Sequence, residues 1–234
     1  MTSLGDRMKS YEGVSKTKLM PSTPVIIRVD GKAFHSWTKG LDNPFDQKFY
    51  GAMAHAASML VNDIQNAVFA YGQSDEISIF IKDYTSINTE QWFGGTVQKM
   101  ASVASSIATA HFNDAAKQLG IDGNGLAFFD ARVFNLPIHE VTNYFIWRQQ
   151  DFIRNSIQMV ARHYLGHSKC QKLNREDMIA ALKELDEPID WYDDFDRIYR
   201  YGYVYLRGQN GAMFDIPEFS QAKDFLEVHV HNLA

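Results

Sequence analysis

The feature that most constrains the fold of this chain is a short apolar run that stops at an acidic residue. Residues Val25–Val29 read Val-Ile-Ile-Arg-Val, and such a β-branched run is typical of a buried strand. Asp30 and Gly31 follow the run directly. The carboxylate of Asp30 is therefore predicted at the end of a strand, next to a glycine, and the rest of the chain has to supply the neighbouring strands.

A β-hairpin is predicted further along the chain. The β-prone runs Ala67–Tyr71 and Ile77–Ile81 flank the short polar stretch Gly72–Glu76, which begins with a glycine. Two apolar runs separated in this way are a hairpin signal. Asp75 falls in the turn, so the hairpin provides a second carboxylate at a strand end.

Helical spacing of apolar residues covers much of the remaining sequence. It predicts helices over residues 4–12, 46–65, 89–119, 139–165 and 174–185. Asp46 and Asn174 are the expected N-caps of two of these helices. Further strands are predicted over residues 126–136 and 198–206.

The order of these elements predicts the fold class. A strand, a helix, a hairpin, a helix and a strand in succession favour an α+β fold with a ferredoxin-like antiparallel sheet and helices on one face, the arrangement of a polymerase palm. We expect a palm catalytic domain over residues 1–137. Residues 138–234 are expected to form a helical extension with a returning strand, packed on the palm as one structural unit.

Composition narrows the class of protein. The net charge is -5 and the pI is near 5.9, which argues against a strongly basic nucleic-acid binder, although an enzyme can gather its cations in one groove. The single cysteine, Cys170, cannot form an internal disulfide, which favours a reducing cytoplasm. No apolar run approaches the ~20 residues of a membrane-spanning helix, so no membrane partner is expected.

Asp30 and Asp75 together predict a metal site. In a ferredoxin-like sheet the first strand can lie beside the hairpin, which would bring both carboxylates to adjacent strand ends. Mg²⁺ prefers carboxylate ligands, and two such ions can activate an attacking hydroxyl and stabilise a leaving oxygen. Gly31 lacks a Cβ, so backbone groups there can approach a metal or a triphosphate closely. The alternative is that both aspartates are ordinary turn residues.

Four segments carry a resemblance to a known family. They read Arg-Val-Asp-Gly-Lys-Ala-Phe-His over residues 28–35, Ala-Tyr-Gly-Gln-Ser-Asp-Glu over 70–76, Phe-Asp-Ala-Arg over 129–132 and Trp-Arg-Gln-Gln-Asp over 147–151. In order and spacing they are similar to the motifs of the tRNA-His guanylyltransferase family, which includes 3′-to-5′ RNA polymerases. The likeness includes the opening Leu-Gly-Asp-Arg-Met-Lys and extends to about residue 205.

The resemblance implies a reaction and a set of ligands. Members add a nucleotide to the 5′ end of tRNA: the 3′ hydroxyl of the incoming nucleotide attacks a 5′ phosphate that ATP or GTP has first activated. The resemblance also implies a homotetramer that uses two Mg²⁺ ions, held by Asp30, the backbone carbonyl of Gly31, and Asp75. The residues that it implies for nucleotide binding, with GTP favoured, are Asp30, Gly31, Lys32, Ala33, Phe34, His35, Ser74, Asp75 and Lys99.

The sequence departs from eukaryotic members in ways that bear on the substrate. Those members carry His-Ile-Asn-Asn shortly after the Trp-Arg-Gln motif, whereas this chain has Ile153–Ser156 there and keeps only Asn155. The pattern resembles the bacterial and archaeal branch, which repairs truncated tRNA 5′ ends. Both tRNA-His maturation and 5′-end repair therefore stay open.

Basic residues of the family pattern are also absent. Asn43 stands where members often have a lysine, and two glycines at positions 94 and 95 stand where eukaryotic members have a basic pair. The triphosphate is left to Lys32, Lys39 or Lys99, and the sequence does not choose among them.

Other polar side chains are secondary candidates. Arg28, Arg148, Arg154 and Asn155 are considered for contacts with RNA or its 5′ phosphate, because arginine forks match phosphate oxygens; a surface salt bridge is the alternative for Arg148 and Arg154. Arginines and tyrosines interleaved over residues 197–207 either contact RNA or form one face of a solvated strand.

Three further residue groups have open interpretations. Glu76 is either an additional metal ligand or a residue that turns toward solvent. His163, His167 and Cys170 have a spacing compatible with zinc but no evident fourth ligand, so ordinary surface or partly buried residues are the favoured interpretation. The histidines at 229 and 231 are expected in a strand or tail and not in a metal site.

Two other functions fit the same sequence. A palm-fold enzyme that makes cyclic or dinucleotide products from free nucleoside triphosphates would explain the acidic charge. A non-enzymatic RNA-binding module of similar topology would display base-stacking aromatics on its strands. The leading hypothesis is a cytoplasmic, magnesium-dependent 3′-to-5′ nucleotidyltransferase whose partners are tRNA, GTP and ATP.

Overall fold

A five-stranded antiparallel sheet forms the centre of the fold. The computed structural model describes residues 3–231, so residues 1–2 and 232–234 of the two expected units lie outside the described residues. The strands are β1 (Val25–Gly31), β2 (Ala67–Gln73), β3 (Glu76–Ile81), β4 (Phe129–Asn135) and β5 (Tyr203–Leu206). Their order across the sheet is β4-β1-β3-β2-β5.

Helices make up most of the remaining described chain. They are α1 (Leu4–Gly13), α2 (Phe34–Trp37), α3 (Gln47–Asp63), α4 (Val97–Gln118), α5 (Ile138–Leu165), α6 (His167–Cys170), α7 (Arg175–Lys183), α8 (Arg197–Tyr201) and α9 (Asp224–His231). A 3₁₀ turn, Trp92–Gly95, precedes α4. Among residues 3–231 we find no helix with the length and apolar character needed to cross a membrane.

Both faces of the sheet are covered. Successive side chains of a strand point to opposite faces. Ile27 and Ile79 therefore pack with α3 and α4, whereas Ile26 and Phe80 pack with α5 and the segments that follow it. The helices between the strands of the predicted palm thus lie on one face, and the C-terminal part of the chain covers the other. The predicted α+β class and palm arrangement are confirmed.

Two helices begin where their capping residues predict. The side chain of Asp46 accepts the backbone N–H of Phe49 at 2.8 Å, and that of Asn174 accepts the N–H of Asp177 at 2.9 Å. These side chains satisfy N–H groups that the first turn of a helix leaves free. The starts of α3 and α7 are therefore encoded locally.

The helix predicted over residues 89–119 begins later than expected, at Val97. The preceding 3₁₀ turn holds Phe93, Gly94 and Gly95 at positive φ. Glycine adopts this conformation readily, and a right-handed helix cannot continue through it. The helical spacing of Trp92 therefore does not extend the helix, because the glycine pair interrupts it.

The strand predicted over residues 198–206 is helical in its first half. α8 occupies that half, and β5 covers only the last four residues. The break falls at Gly202, which has a φ of 80° and where a Cβ would overlap the carbonyl oxygen of Gly72. The alternating tyrosines resemble a strand, but the left-handed glycine and its close contact with β2 decide the backbone path.

The second half of this segment does not form the solvated strand considered from the sequence. Tyr203 and Tyr205 are buried in the core on the α3 side of the sheet. The guanidinium of Arg207 donates to the carbonyls of Val61, Asn62 and Ile64 at the end of α3. The solvated-strand interpretation is therefore wrong, since the strand is part of the core and Arg207 caps a helix. Contact of the other arginines of the segment with RNA stays a prediction.

Two remaining predictions concern the ends of the chain. The first predicted helix is present as α1, and it contributes no buried residue to the fold. His229 and His231 lie in α9 and not in the predicted strand or tail. Leu226 and Val230 of α9 are buried, so helical packing of this apolar stretch overrides its alternating pattern.

Gly72→Ala is expected to destabilise the protein, because a methyl group there would overlap the ring of Tyr203, which is fully buried. Overpacking of a core costs about 1–3 kcal/mol. Gly51→Ala is the matched control, since it lies inside α3 and its Cβ would make an ordinary 3.5 Å contact with Leu119. Alanine stabilises an exposed helix interior by about 1 kcal/mol relative to glycine. Urea unfolding measures both variants, and equal stability would contradict the packing described.

Candidate active site

The end of β1 lies beside the turn of the β2–β3 hairpin. β1 and β3 pair in antiparallel register, with Asp30 opposite Glu76. Next to this pair, the backbone N–H of Gly31 donates to the carbonyl of Asp75 at 3.0 Å. The structure therefore brings Asp30 and Asp75 to adjacent positions at one end of the sheet.

The hairpin turn carries backbone strain. β2 ends at Gln73 and β3 begins at Glu76, so Ser74 and Asp75 form a two-residue turn. Ser74 has a φ of 46°, in the left-handed region. Tight hairpin turns need such residues, and glycine or asparagine adopts the conformation most easily. A serine at this position implies that surrounding contacts hold the turn in place.

The electrostatics of the two aspartates favour a bound cation. Burial raises the pKa of Asp75 to about 6, and the charge of Asp30 adds to the shift. Burial also raises the pKa of Asp30, while the charge of Arg28 opposes the increase. A hard cation that prefers oxygen ligands would stabilise the charged form of both carboxylates. Asp30 and Asp75, with the carbonyl of Gly31, therefore fit the donor set of magnesium.

Side chains alone do not form a complete metal site in the described part of the chain. Across residues 3–231 no group of three or more His, Cys, Asp or Glu side chains is arranged to hold a metal ion. Of the three residues with zinc-like spacing in the sequence, Cys170 is buried in the core. At Asp30 and Asp75, a complete magnesium shell would include backbone, water or phosphate oxygens, as is usual for this ion.

A cavity of about 440 Å³ opens beside the two aspartates. This volume is in the range of small-ligand sites. A smaller cavity of about 110 Å³ adjoins it and is lined in part by Asp30, Asp75 and Asn155. The wall of the larger cavity includes most of the residues that the sequence assigns to nucleotide binding, namely Gly31, Ala33, Phe34, His35, Ser74 and Asp75.

The backbone turns sharply after β1 to form this cavity. Ala33 has a φ of 55°, and the short helix α2 begins immediately after it. A Cβ on Gly31 would overlap the ring of Phe34, which is buried and packs on the rings of Phe49 and Phe112. Gly31 is therefore required by aromatic packing, in addition to the close ligand approach predicted from the sequence.

The three candidate lysines lie in different places. Lys32 and Lys39 are exposed and adjoin residues of the cavity wall in the chain. Lys99 is in the first turn of α4, whereas the end of α4 nearer the site carries Phe112, which packs on Phe34. The helix between Lys99 and Phe112 spans roughly 20 Å. The geometry of a single chain therefore does not support Lys99 as a contact of a nucleotide in this cavity.

An ion pair that the sequence did not predict lies next to the turn. Arg148 donates from Nε and Nη2 to the two carboxylate oxygens of Glu76, at 2.8 and 2.7 Å. Burial raises the pKa of Glu76, and the hydrogen bonds and charge of Arg148 oppose that shift. Glu76 is 7% exposed and its carboxylate is occupied, so it is neither a solvent-facing residue nor a free metal ligand. The sequence places Arg148 on the buried face of an amphipathic helix, which indicates a buried charge but does not identify Glu76 as its partner.

Two of the arginines considered for RNA have carboxylate partners. Arg148 is 7% exposed and committed to Glu76. Arg28 lies on β1 with its guanidinium 3.9 Å from Asp30 and 3.8 Å from Glu76, and its buried Nε has no hydrogen-bond partner. The structure therefore places both arginines where they offset carboxylate charge and are not available to a surface-bound RNA.

Arg154 and Asn155 are more accessible. Arg154 is exposed on α5 and forms an ion pair with Asp151. Asn155 lines the smaller cavity beside the two aspartates. Contact of these two residues with RNA stays a prediction.

The fold and the paired carboxylates define a class of protein. An antiparallel palm sheet with two aspartates at adjacent strand ends, next to a nucleotide-sized cavity, is the arrangement of a palm-fold nucleotidyltransferase.

Sequence comparisons identify the family within this class. The sequence model described as tRNAHis guanylyltransferase matches residues 5–137. An uncharacterized protein of Acanthamoeba polyphaga mimivirus is 32% identical over 204 residues, which are 77% of this chain and 70% of the relative. A probable tRNA(His) guanylyltransferase of Drosophila melanogaster is 26% identical over 211 residues, which are 86% of this chain and 72% of the relative.

Solved structures agree. A bacterial tRNA(His) guanylyltransferase-like protein in complex with ATP superimposes with a TM-score of 0.93 at 40% identity, over 98% of this chain and 100% of that chain. A bacterial protein of the same description in complex with GTP has a TM-score of 0.81 at 36% identity, over 99% and 100%. The chain therefore belongs to the tRNA(His) guanylyltransferase family. It is a nucleotidyltransferase, and the reaction of the family is 3′-to-5′ addition of nucleotides to tRNA.

Asp75→Asn is expected to stabilise the metal-free protein at alkaline pH. The pKa of Asp75 is about 6 in the folded protein against an ordinary value of 3.8, so folding favours the protonated form. The resulting stabilisation is present below the ordinary pKa and is lost as the pH rises through the folded pKa. Above it, the ionised carboxylate costs at most about 3 kcal/mol. Asparagine resembles the protonated form and removes this cost.

Urea unfolding in EDTA at pH 5 and pH 8 measures the difference. The advantage of Asp75→Asn over the wild type should be larger at pH 8, and the exposed Asp186→Asn is the control with no expected change. A variant that is no more stable than the wild type at pH 8 would contradict the burial of this charge.

Proposed function

We propose that this chain is a magnesium-dependent 3′-to-5′ nucleotidyltransferase that adds nucleotides, with GTP favoured, to the 5′ end of tRNA. The proposal rests on one observation: Asp30 and Asp75 lie side by side next to a cavity of about 440 Å³. The hydrogen bond from the N–H of Gly31 to the carbonyl of Asp75 holds the two segments together. Two carboxylates next to a nucleotide-sized cavity suit phosphoryl transfer, in which catalysis is mainly positioning and charge stabilisation.

Two magnesium ions are the proposed cofactor. Asp30, the carbonyl of Gly31, and Asp75 would hold them, because these are oxygen donors and because burial raises the pKa of both aspartates, so that a bound cation would stabilise their charged forms. When bound, such ions polarise phosphoryl oxygens and favour ionisation of an attacking hydroxyl.

The cavity is the proposed nucleotide site. Phe34 and Phe49 supply an apolar wall for a base, and His35 supplies a polar group. Lys32 and Lys39 are the proposed triphosphate partners, since they are the candidate lysines that adjoin the cavity wall in the chain. The complexes of bacterial guanylyltransferase-like proteins with ATP and GTP support these two nucleotides as ligands.

In the proposed reaction, an oxygen of the 5′ monophosphate first bonds to the α-phosphorus of ATP or GTP, and pyrophosphate leaves. The 3′ hydroxyl of the incoming nucleotide then attacks the 5′ phosphorus of the RNA, the bond to the activating nucleotide breaks, AMP or GMP leaves, and the hydroxyl proton passes to solvent. The chain contributes by holding the reacting groups in line and by excluding water from the apolar side of the cavity. Arg28 limits the repulsion around Asp30, because its guanidinium lies 3.9 Å from that carboxylate.

Repair of tRNA 5′ ends is the biological task that the comparisons favour over tRNA-His maturation. The chain is 40% and 36% identical to bacterial guanylyltransferase-like proteins, against 26% for the probable Drosophila melanogaster enzyme and 32% for that of Schizosaccharomyces pombe. The residues Ile153–Ser156, which replace the eukaryotic His-Ile-Asn-Asn, point in the same direction.

We further propose a cytoplasmic homotetramer in which residues 1–137 form the catalytic palm and residues 138–234 an extension packed on it. The family match ends at residue 137, and β5 of the extension pairs with β2 of the palm. Assembly with other chains is supported by α1, where Leu4, Met8 and Tyr11 are exposed. The single cysteine supports a reducing compartment.

Incorporation of each of the four nucleotides into tRNA transcripts that lack their first nucleotide tests the proposal. Repair predicts addition of the nucleotide that pairs with the opposite base, whereas tRNA-His maturation predicts guanosine on that tRNA alone. Product formed without RNA would favour an enzyme that joins or cyclises free nucleotides. Absence of magnesium-dependent nucleotide binding in calorimetry would favour a non-enzymatic RNA-binding module.

Asp30→Ala and Asp75→Ala are each expected to lower nucleotide addition by at least about 100-fold, because each removes a donor that the proposed ions need. Asp186→Ala changes an exposed aspartate and should leave activity intact. Single-turnover assays on truncated tRNA measure the rates, and circular dichroism verifies the fold. Full turnover by either variant would rule out the proposed metal site.

A further inference from the structure

A buried polar network surrounds the residue that follows Asp75. Glu76 accepts both hydrogen bonds from Arg148 on one side and a 3.1 Å bond from the amide of Gln73 on another. The hydroxyl of Ser78 lies 3.4 Å from the same carboxylate. Glu76 is therefore held by groups from β2, from β3 and from α5.

The two residues that flank the strained turn both belong to this network. Gln73 precedes the turn and Glu76 follows it, and they are 4% and 7% exposed. Their side chains are hydrogen-bonded to each other across the base of the turn. Because Ser74 is in the left-handed region, the turn needs such external contacts to keep its shape.

Arg148 supplies the charge that this network needs. A buried carboxylate without a hydrogen-bonded cation is strongly unfavourable. Arg28 also approaches Glu76, but at 3.8 Å its Nε makes no hydrogen bond. The bidentate contact comes from Arg148, whose fork matches the two carboxylate oxygens.

Helix α5, which carries Arg148, is fixed to neighbouring segments at the next residue. The amide of the next residue, Gln149, donates to the carbonyls of Tyr201 and Pro217 at 3.2 and 3.0 Å, and its oxygen accepts the N–H of Phe219 at 2.6 Å. Gln149 is 1% exposed. Arg148 is thus presented to the hairpin from a rigid part of α5.

We propose that Arg148 is a positioning residue: by binding Glu76 it holds the Ser74–Asp75 turn so that Asp75 remains beside Asp30 in a geometry able to share metal ions. This inference rests on the proposed magnesium-dependent function. Arg148 acts through Glu76 and touches neither the nucleotide nor the RNA. The C-terminal part of the chain thereby contributes to the metal site of the palm.

Arg148→Lys and Arg148→Met test the proposal. Lysine keeps the charge but lacks the fork, and methionine keeps much of the length without the charge. Arg162→Met is the matched control, because Arg162 is exposed on the same helix and donates to Gln158 at 3.3 Å. Loss of support for metal ligands typically lowers metal affinity or activity about 10–100-fold.

The first measurement is binding of a fluorescent GTP analogue as a function of Mg²⁺ concentration, without RNA. The concentration for half-maximal binding should rise about 10–100-fold in the Arg148 variants and stay unchanged in Arg162→Met. The second is steady-state addition to truncated tRNA, where kcat should fall and KM for tRNA should remain at the wild-type value. Unchanged magnesium dependence in a folded Arg148 variant overturns the proposal. A higher KM for tRNA at unchanged kcat also overturns it, in favour of a direct contact with RNA.

A double variant separates positioning from independent roles. Because Arg148 acts through Glu76, Arg148→Met combined with Glu76→Gln should lose no more magnesium affinity than the more defective single variant. Losses that multiply would overturn the proposed link. Thermal unfolding verifies each fold, and Arg148→Lys carries the test if Arg148→Met does not fold.

Loss of the proposed activity and loss of the positioning role of Arg148 give different results. A wild-type protein that binds magnesium and the GTP analogue but adds no nucleotide to tRNA would reject the proposed function. The difference between wild-type and Arg148-variant binding curves decides the role of Arg148 in either case.

Discussion

The pairing of β1 with β3 is the constraint on which the site depends. It sets Asp30 opposite Glu76 and allows the N–H of Gly31 to bond the carbonyl of Asp75. A register shift of one residue would turn every side chain of β1 to the other face of the sheet. Apolar cores cover both faces of the sheet, and such a shift would move Asp30 to the face where Phe34 and its neighbouring aromatic rings pack. The folding core and the chemistry therefore select the same register.

Two features of the site are energetically unfavourable: buried carboxylates and a strained turn. Burial raises the pKa values of Asp30 and Asp75, and Ser74 occupies a left-handed turn position between strands. Perturbed pKa values and strained backbone together are typical of functional sites. Bound cations would offset the first cost, and in our proposal the ion pair of Glu76 and Arg148 offsets the second. The acidic net charge is no obstacle, because the chemistry requires local cations and not a basic surface.

The two faces of the sheet contribute differently to the site. On the α3–α4 face, rings of Phe34, Phe49 and Phe112 form an apolar wall that shapes the larger cavity. On the α5 face, hydrogen bonds and ion pairs surround the strand ends. One layer therefore suits a nucleotide base, and the other organises the carboxylates.

Local patterns were enough to predict Asp30 at a strand end and Asp75 in the turn of a hairpin. They also predicted the helix starts at Asp46 and Asn174, because N-cap hydrogen bonds act within a few residues. The tyrosine alternation before Gly202 misled, since contact with a distant strand decides the backbone there. The Glu76–Arg148 pair joins residues 72 positions apart, and the placement of Lys99 away from the cavity depends on the direction of α4. Such features follow from how helices pack on the sheet, so only the tertiary structure decides them.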